Sequence, residues 1–130
     1  MIYFDTSALV KLVFEETESA ALVEWLSARE DVPKVSSDLS TVELLRTCRR
    51  VDDGSVEGAN LLLRGIDLLP VDRAVIEKAA SLAPTELRSL DAIHLASALS
   101  VKTSLTALVA YDDRLCSAAS QAGIDVVSPT

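Results

Sequence analysis

A chain of 130 residues, 49% hydrophobic and 25% charged, has room for one domain with a single sizeable core and is too apolar to be disordered. Aromatic residues make up only 4%, so that core must be aliphatic. The formal net charge of −8 argues by itself against a polyanionic partner, but bound cations can cancel local acids and the basic residues can be concentrated, so it excludes none.

No apolar run approaches the ~20 residues of a membrane span. The opening Met1 to Asp5 meets an acid at once and has no basic stretch, so it is not expected to be a signal peptide. Cys48 and Cys116 stand alone, without metal-ligand spacing, and are expected to be packing thiols in a reduced, cytoplasmic setting.

Apolar runs and helical patterns alternate along the chain. Ile2 to Phe4 reads as a first strand, and the segment from Asp5 through Leu12 as the start of a helix. Thr17 is placed to cap a second helix with Leu22, Trp25 and Leu26 on one face, a core stripe or a docking surface. Val32 to Ser36 reads as a second strand, Ser40 to Arg50 as a helix, and Ala59 to Arg64 as part of another. Ile66 to Val71 is a third strand, with Pro70 awkward near its end. Arg73 to Leu82 and the strongly apolar Leu90 to Ser100 are helices. Leu105 to Tyr111 is the most clearly buried strand, followed by a helix from about Arg114 to Ala122, a stop at Gly123, and a last strand from Ile124 to Val127. The alternation predicts one domain over residues 1–130, a three-layer α/β/α sandwich around a mostly parallel sheet.

In such a sheet ligands bind beyond the carboxyl ends of the strands, where helix N-termini also lie. Asp5 follows the first strand and Asp112 follows Leu105 to Tyr111, while Glu43 and Asp91 fall in the first turns of helices starting near Ser40 and Ser89. Each acid also has a plainer role. Asp5 could cap the helix after it, Glu43 could close a capping box with Ser40, and Asp91 could compensate a helix dipole. Asp113 is the natural cap for the helix that follows it, which keeps Asp112 for the site. Asp72 is expected to cap the helix from Arg73, although topology would also bring it to the same edge. Like charges crowded on one rim are unfavourable unless protons or a cation relieve them. Oxygen-only donors suit Mg²⁺ or Mn²⁺, and the chemistry best matched to that set is phosphodiester hydrolysis.

Four segments in this order resemble the PIN-domain family, and within it the VapC toxins of bacterial toxin–antitoxin pairs. They are Ile2 to Leu9, Ser40 to Arg46, Leu87 to Leu99 with its Leu90-Asp-Ala-Ile-His centre, and Tyr111 to Leu115, followed by a Gly123 to Pro129 ending. The resemblance covers essentially the whole chain. It implies a PIN-like fold and a metal-dependent endoribonuclease with Mg²⁺ or Mn²⁺ held by Asp5, Glu43, Asp91 and Asp112. Ser7, with Thr6 beside it, falls where supporting hydroxyls belong. The resemblance further implies an RNA substrate, a homodimer, and inhibition by a small VapB-like antitoxin.

Arg46 and Arg50 share a helix face with Glu43, with Arg49 beside them, and are candidates to guide an RNA backbone or to receive antitoxin acids. The plainer alternative is an intrahelical Glu43–Arg46 pair with solvated arginines. His94 lies among Ile93, Leu95, Ala96 and Ala98, so it reads as a packed or supporting histidine rather than a general base. Two other functions compete: a PIN-fold binding module without turnover, and a phospho-acceptor signalling domain with Asp72 at the end of a central third strand.

Overall fold

Ile2, Tyr3 and Phe4 form a strand of three residues, all buried, and the alternation of their side chains divides the molecule in two. In the computed structural model, which describes residues 1–130, Ile2 and Phe4 join one apolar cluster and Tyr3 joins the other. This strand, β1 (Ile2–Phe4), is the middle of a five-stranded sheet completed by β2 (Lys34–Ser37), β3 (Asp67–Leu69), β4 (Ala107–Val109) and β5 (Val126–Val127). The order is β3-β2-β1-β4-β5 and every pairing is parallel, with Tyr3 in register with both Val35 and Leu108.

Parallel strands need crossovers, and here helices supply all of them. On the Ile2 and Phe4 face lie α1 (Thr6–Val13), α2 (Ser19–Ser27), α3 (Asp38–Val51) and α4 (Val56–Arg64), which contribute Leu9, Leu22, Leu44, Cys48 and Leu63 to the first cluster. The Tyr3 face is covered by α6 (Ser89–Ser100) and α7 (Asp113–Gln121) through Leu95, Leu115 and Ala118, and α5 (Arg73–Ser81) packs on α6. Two short 3₁₀ turns, Asp53–Ser55 and Lys102–Ser104, complete the connections. This is the expected α/β/α sandwich. None of the helices is long and apolar enough to cross a membrane.

Several boundaries move, for identifiable reasons. β3 ends at Leu69 rather than Val71, since Pro70 has no N–H to offer a ladder. Ser37, not Ser40, begins α3: its hydroxyl oxygen accepts the Leu39 N–H at 3.1 Å, and the helix starts at Asp38. Thr17 caps nothing. Glu18 occupies the cap position of α2 without a side-chain cap bond, and its carboxylate instead meets the Lys11 ammonium at 3.0 Å. Gly123 stops α7 as expected, at φ +83°, a left-handed conformation costly for any residue with a Cβ. Both cysteines are free. Cys48 is fully buried, and Cys116 is half-buried with its thiol pKa raised by burial.

From β1 the chain steps outward to β2 and β3, then crosses back to place β4 and β5 on the other side of β1. The point where strand order reverses therefore lies between β1 and β4, where open α/β sheets bind their ligands. Leu108, fully buried in β4 against α6 and α7, anchors that junction. Leu108→Ala is expected to lower unfolding free energy by about 2–5 kcal/mol, read as a lower urea midpoint at unchanged slope.

Candidate active site

Asp5 is the residue on which β1 ends and α1 begins. Its backbone N–H extends the ladder to the Val109 carbonyl at 3.2 Å. Its Oδ1 caps α1, accepting the Ala8 N–H at 3.1 Å and the Ser7 hydroxyl at 2.6 Å. Ser7 in turn accepts the Tyr111 N–H at 3.1 Å, so a single hydroxyl ties the exit of β4 to the acid at the exit of β1. Asp112 follows Tyr111 and caps α7, its Oδ1 accepting the Leu115 N–H at 3.0 Å. The cap of α7 is therefore Asp112 and not the expected Asp113, which is the first helical residue.

Asp91 lies in the first turn of α6, as expected, and accepts no hydrogen bond. Glu43 does not close a capping box, because α3 starts at Asp38 and Glu43 sits more than a turn inside it. Its Oε1 instead accepts the Thr6 hydroxyl at 2.6 Å and lies 2.7 Å from His94 Nε2. Thr6 is thus a supporting hydroxyl of Glu43, while Ser7 supports Asp5. Arg46 makes no ion pair with Glu43. It is exposed and lines a surface concavity with the equally exposed Arg49 and Arg50. Asp72 is confirmed as a cap, accepting the Val75 N–H at 2.9 Å, and β3 is an edge strand, so the phospho-acceptor reading loses its central aspartate.

The acids sense one another. Burial raises the Asp5 carboxyl above the usual carboxylate range despite its two hydrogen bonds, and the charge of Asp91 adds to the rise. Asp91 is also raised, by burial first, then by the charges of Asp112 and Glu43. Glu43 goes the other way. Burial works upward, but the hydrogen bonds from His94 and Thr6 outweigh it and hold the carboxyl below its ordinary value. One carboxylate is kept ionised beside two that resist ionisation.

No three histidine, cysteine, aspartate or glutamate side chains close into a metal cage. What the rim offers is an open set of oxygens. Asp5, Asp112 and Glu43 each spend one carboxylate oxygen on the protein and have no partner for the other, and Asp91 keeps both. An open oxygen donor set on a negatively charged rim fits a hard divalent cation that retains several waters.

The hydrogen-bonded core behind Glu43 escaped sequence reading. Tyr3 was treated as one more strand residue, yet its hydroxyl lies 2.8 Å from His94 Nδ1, with both residues buried. Ser40 reaches toward Thr6 at 3.4 Å and shares a 2.7 Å hydrogen bond with Ser36. The available signal was a phenol in the middle of a buried strand, which needs a polar partner. Trp25 is half-buried with the Arg29 guanidinium over its ring, and Leu22 beside it is core.

The PIN-domain model matches residues 2–121. Ribonuclease VapC47 of Mycobacterium tuberculosis (strain CDC 1551 / Oshkosh) is 46% identical, over 99% of this chain and 97% of that protein. Ribonuclease VapC46 of Mycobacterium tuberculosis (strain ATCC 25618 / H37Rv) is 42% identical over 99% and 98%. Among solved structures, Mycobacterium tuberculosis VapC20, described as a sarcin-ricin loop cleaving toxin, superposes with TM-score 0.76 at 20% identity, covering 99% of this chain and all of that one. VapBC2 from Rickettsia felis, bound to a DNA fragment from its promoter, gives TM-score 0.77 at 11% identity, with both chains fully covered.

A carboxyl with a raised pKa holds a proton in the folded state that the unfolded chain has released. Stability is therefore lost as pH rises from the ordinary aspartate value of 3.8 through the raised values of Asp5 and Asp91. Asp91→Asn removes one such cost. In EDTA the variant is expected to melt at a higher temperature than the parent at about pH 7, with the gap closing toward about pH 4.

Proposed function

The chain belongs to the PIN-domain family, and we propose that it is a VapC-type endoribonuclease, the toxin of a type II toxin–antitoxin pair, hydrolysing RNA phosphodiester bonds at the rim of Asp5, Glu43, Asp91 and Asp112. The observation that carries the reading is the exit of Asp5 and Asp112 from adjoining strands at the β1–β4 switch point, with the carboxyls of Asp5 and Asp91 both raised, by burial first and by neighbouring acids. Full-length identity to VapC ribonucleases supports the activity.

Asp5, Glu43, Asp91 and Asp112 would hold Mg²⁺ or Mn²⁺, with Asp5 and Asp91 the direct ligands and Asp112 acting more remotely. When bound, the ion supplies polarisation of the phosphodiester and a lowered pKa for attacking water. The chain's own contribution is positioning. Asp5 is fixed by Ser7 and the α1 N-terminus, and Asp112 by the start of α7. Glu43 is kept as an ionised acceptor by Thr6 and His94. The unpartnered oxygens of these acids are left to orient water and cation, and hydrolysis then joins water oxygen to phosphorus as the P–O bond to the leaving ribose oxygen breaks.

The three unpaired arginines of α3 are a concentrated positive patch in a chain of net charge −8. On this reading they take the RNA backbone, with Arg46 and Arg50 on the same helix face as Glu43. A cognate VapB-like antitoxin and a second copy of the chain are the expected protein partners. The antitoxin is favoured by likeness to chains solved in toxin–antitoxin complexes, such as that from Klebsiella pneumoniae at TM-score 0.72.

Asn is as good a helix cap as Asp but is a poor cation ligand. Asp5→Asn is therefore expected to keep the parent's circular dichroism, with a urea midpoint no lower than the parent's, while losing Mn²⁺-stimulated RNA cleavage by at least about 100-fold. Cleavage at the parental rate would remove Asp5 from the centre. For the arginines, Arg50→Ala should lower the slope of log K against log salt for single-stranded RNA by about 0.7. An unchanged slope would take Arg50 off the phosphate path.

A further inference from the structure

His94 is one of the few buried polar side chains, only 2% exposed, and both of its ring nitrogens are engaged. It connects the middle of β1 to the acid on α3 through α6. Tyr3 Oη is 2.8 Å from Nδ1 and Glu43 Oε1 is 2.7 Å from Nε2, with the Thr6 hydroxyl 3.2 Å from the same nitrogen.

The proton positions follow by elimination. Glu43 Oε1 already receives the Thr6 hydroxyl at 2.6 Å and lies 2.7 Å from Nε2, the distance of an N–H···O hydrogen bond, so Nε2 carries the hydrogen between them. Thr6 gives its single proton to Glu43 at 2.6 Å, so toward Nε2 it also only accepts. Tyr3 is fully buried and burial raises its pKa, so it keeps its proton. Its hydroxyl lies 2.8 Å from Nδ1, and the nearby Ser97 hydroxyl of α6 acts on it in the sense of a donor, so the phenol's own proton is left for Nδ1. The phenol therefore donates to Nδ1, and the ring is the neutral Nε2–H tautomer.

We propose that His94 is a positioning residue for Glu43: Tyr3 locks the ring as its Nε2–H tautomer, and that N–H together with the Thr6 hydroxyl holds Glu43 Oε1, leaving the other carboxylate oxygen for the cation. The proposal rests on the reading of Glu43 as part of the cation site. It assigns a role to the phenol of Tyr3, which no metal-binding or hydrolytic chemistry requires. His94 touches neither substrate nor cation and acts only through Glu43.

The test uses the full chain and two independent readouts. In metal-free protein labelled with ¹⁵N-histidine, long-range ¹H–¹⁵N correlations of the only histidine are expected to show an unprotonated Nδ1 and a protonated Nε2, and Tyr3→Phe should release this preference. Mn²⁺ titration monitored by electron paramagnetic resonance should show His94→Leu weakening binding about 10–100-fold. His94→Gln, whose amide nitrogen reaches the place of Nε2, should stay within a few-fold of the parent. An Nδ1–H or doubly protonated ring overturns the proposal, as does a folded His94→Leu that binds Mn²⁺ as the parent does. If His94→Leu does not fold, the tautomer in the parent and in Tyr3→Phe decides. If the parent binds no Mn²⁺, the cation site fails instead, and the tautomer still tests the His94–Glu43 bond separately.

Discussion

Everything at the rim depends on one constraint: strands that all run the same way must all leave the sheet at the same edge. With β1, β2, β3 and β4 parallel, the chain repeatedly exits at that edge and turns into a helix, whose unpaired N–H groups open toward it. An acid is welcome at every such turn because it satisfies those N–H groups and opposes the helix dipole. Folding alone therefore gathers Asp5 and Asp112 on either side of the β1–β4 junction, before any catalytic demand is made.

The same carboxylates can serve fold and chemistry because a carboxylate has two oxygens. Asp5 and Asp112 each give one to a helix N-terminus, which fixes the side chain and leaves the second oxygen in a defined place. Glu43 is held differently. It lies too deep in α3 for a cap, so its fixed oxygen is supplied by side chains from two other elements, Thr6 of α1 and His94 of α6. Asp91 alone has no such anchor and feels the charges of Asp112 and Glu43 most directly. The resulting division, one carboxyl pulled down and two pushed up, is what a cation site needs. The ionised group attracts the ion, and the ion relieves the others.

The fold was legible because its signals are local. Stretches of three to seven residues marked the strands, and Gly123 marked a stop that physics enforces, whereas the stop before Pro70 was read too late. Asp5 and Asp91 could be placed because each sits next to a boundary that the pattern reveals. The errors arose where adjacent residues compete for one role. Ser37 and Ser40 can each cap α3, and Asp112 and Asp113 can each cap α7, and the difference is decided by where the preceding strand lets go. The Tyr3–His94–Glu43 line was hidden for another reason. It joins residues distant in sequence across two faces of packing, and no periodicity records which buried phenol meets which buried imidazole.

The cap at Asp5 also bears on how such a gene can fall silent. Replacing the acid with alanine would strip α1 of its N-terminal partner and expose the loss as misfolding and degradation. Replacing it with asparagine keeps the turn, and a single-base codon change suffices. A lineage freed from the need for the activity can therefore drift to an intact, inert fold at this position without passing through an unstable intermediate. Glu43 offers no such easy route: its amide would turn a donor-free group into one that presents N–H atoms to His94 and Thr6 unless it settles with its oxygen toward them. Helix caps thus leave Asp5 and Asp112 open to silent decay, while the buried network makes Glu43 harder to neutralise.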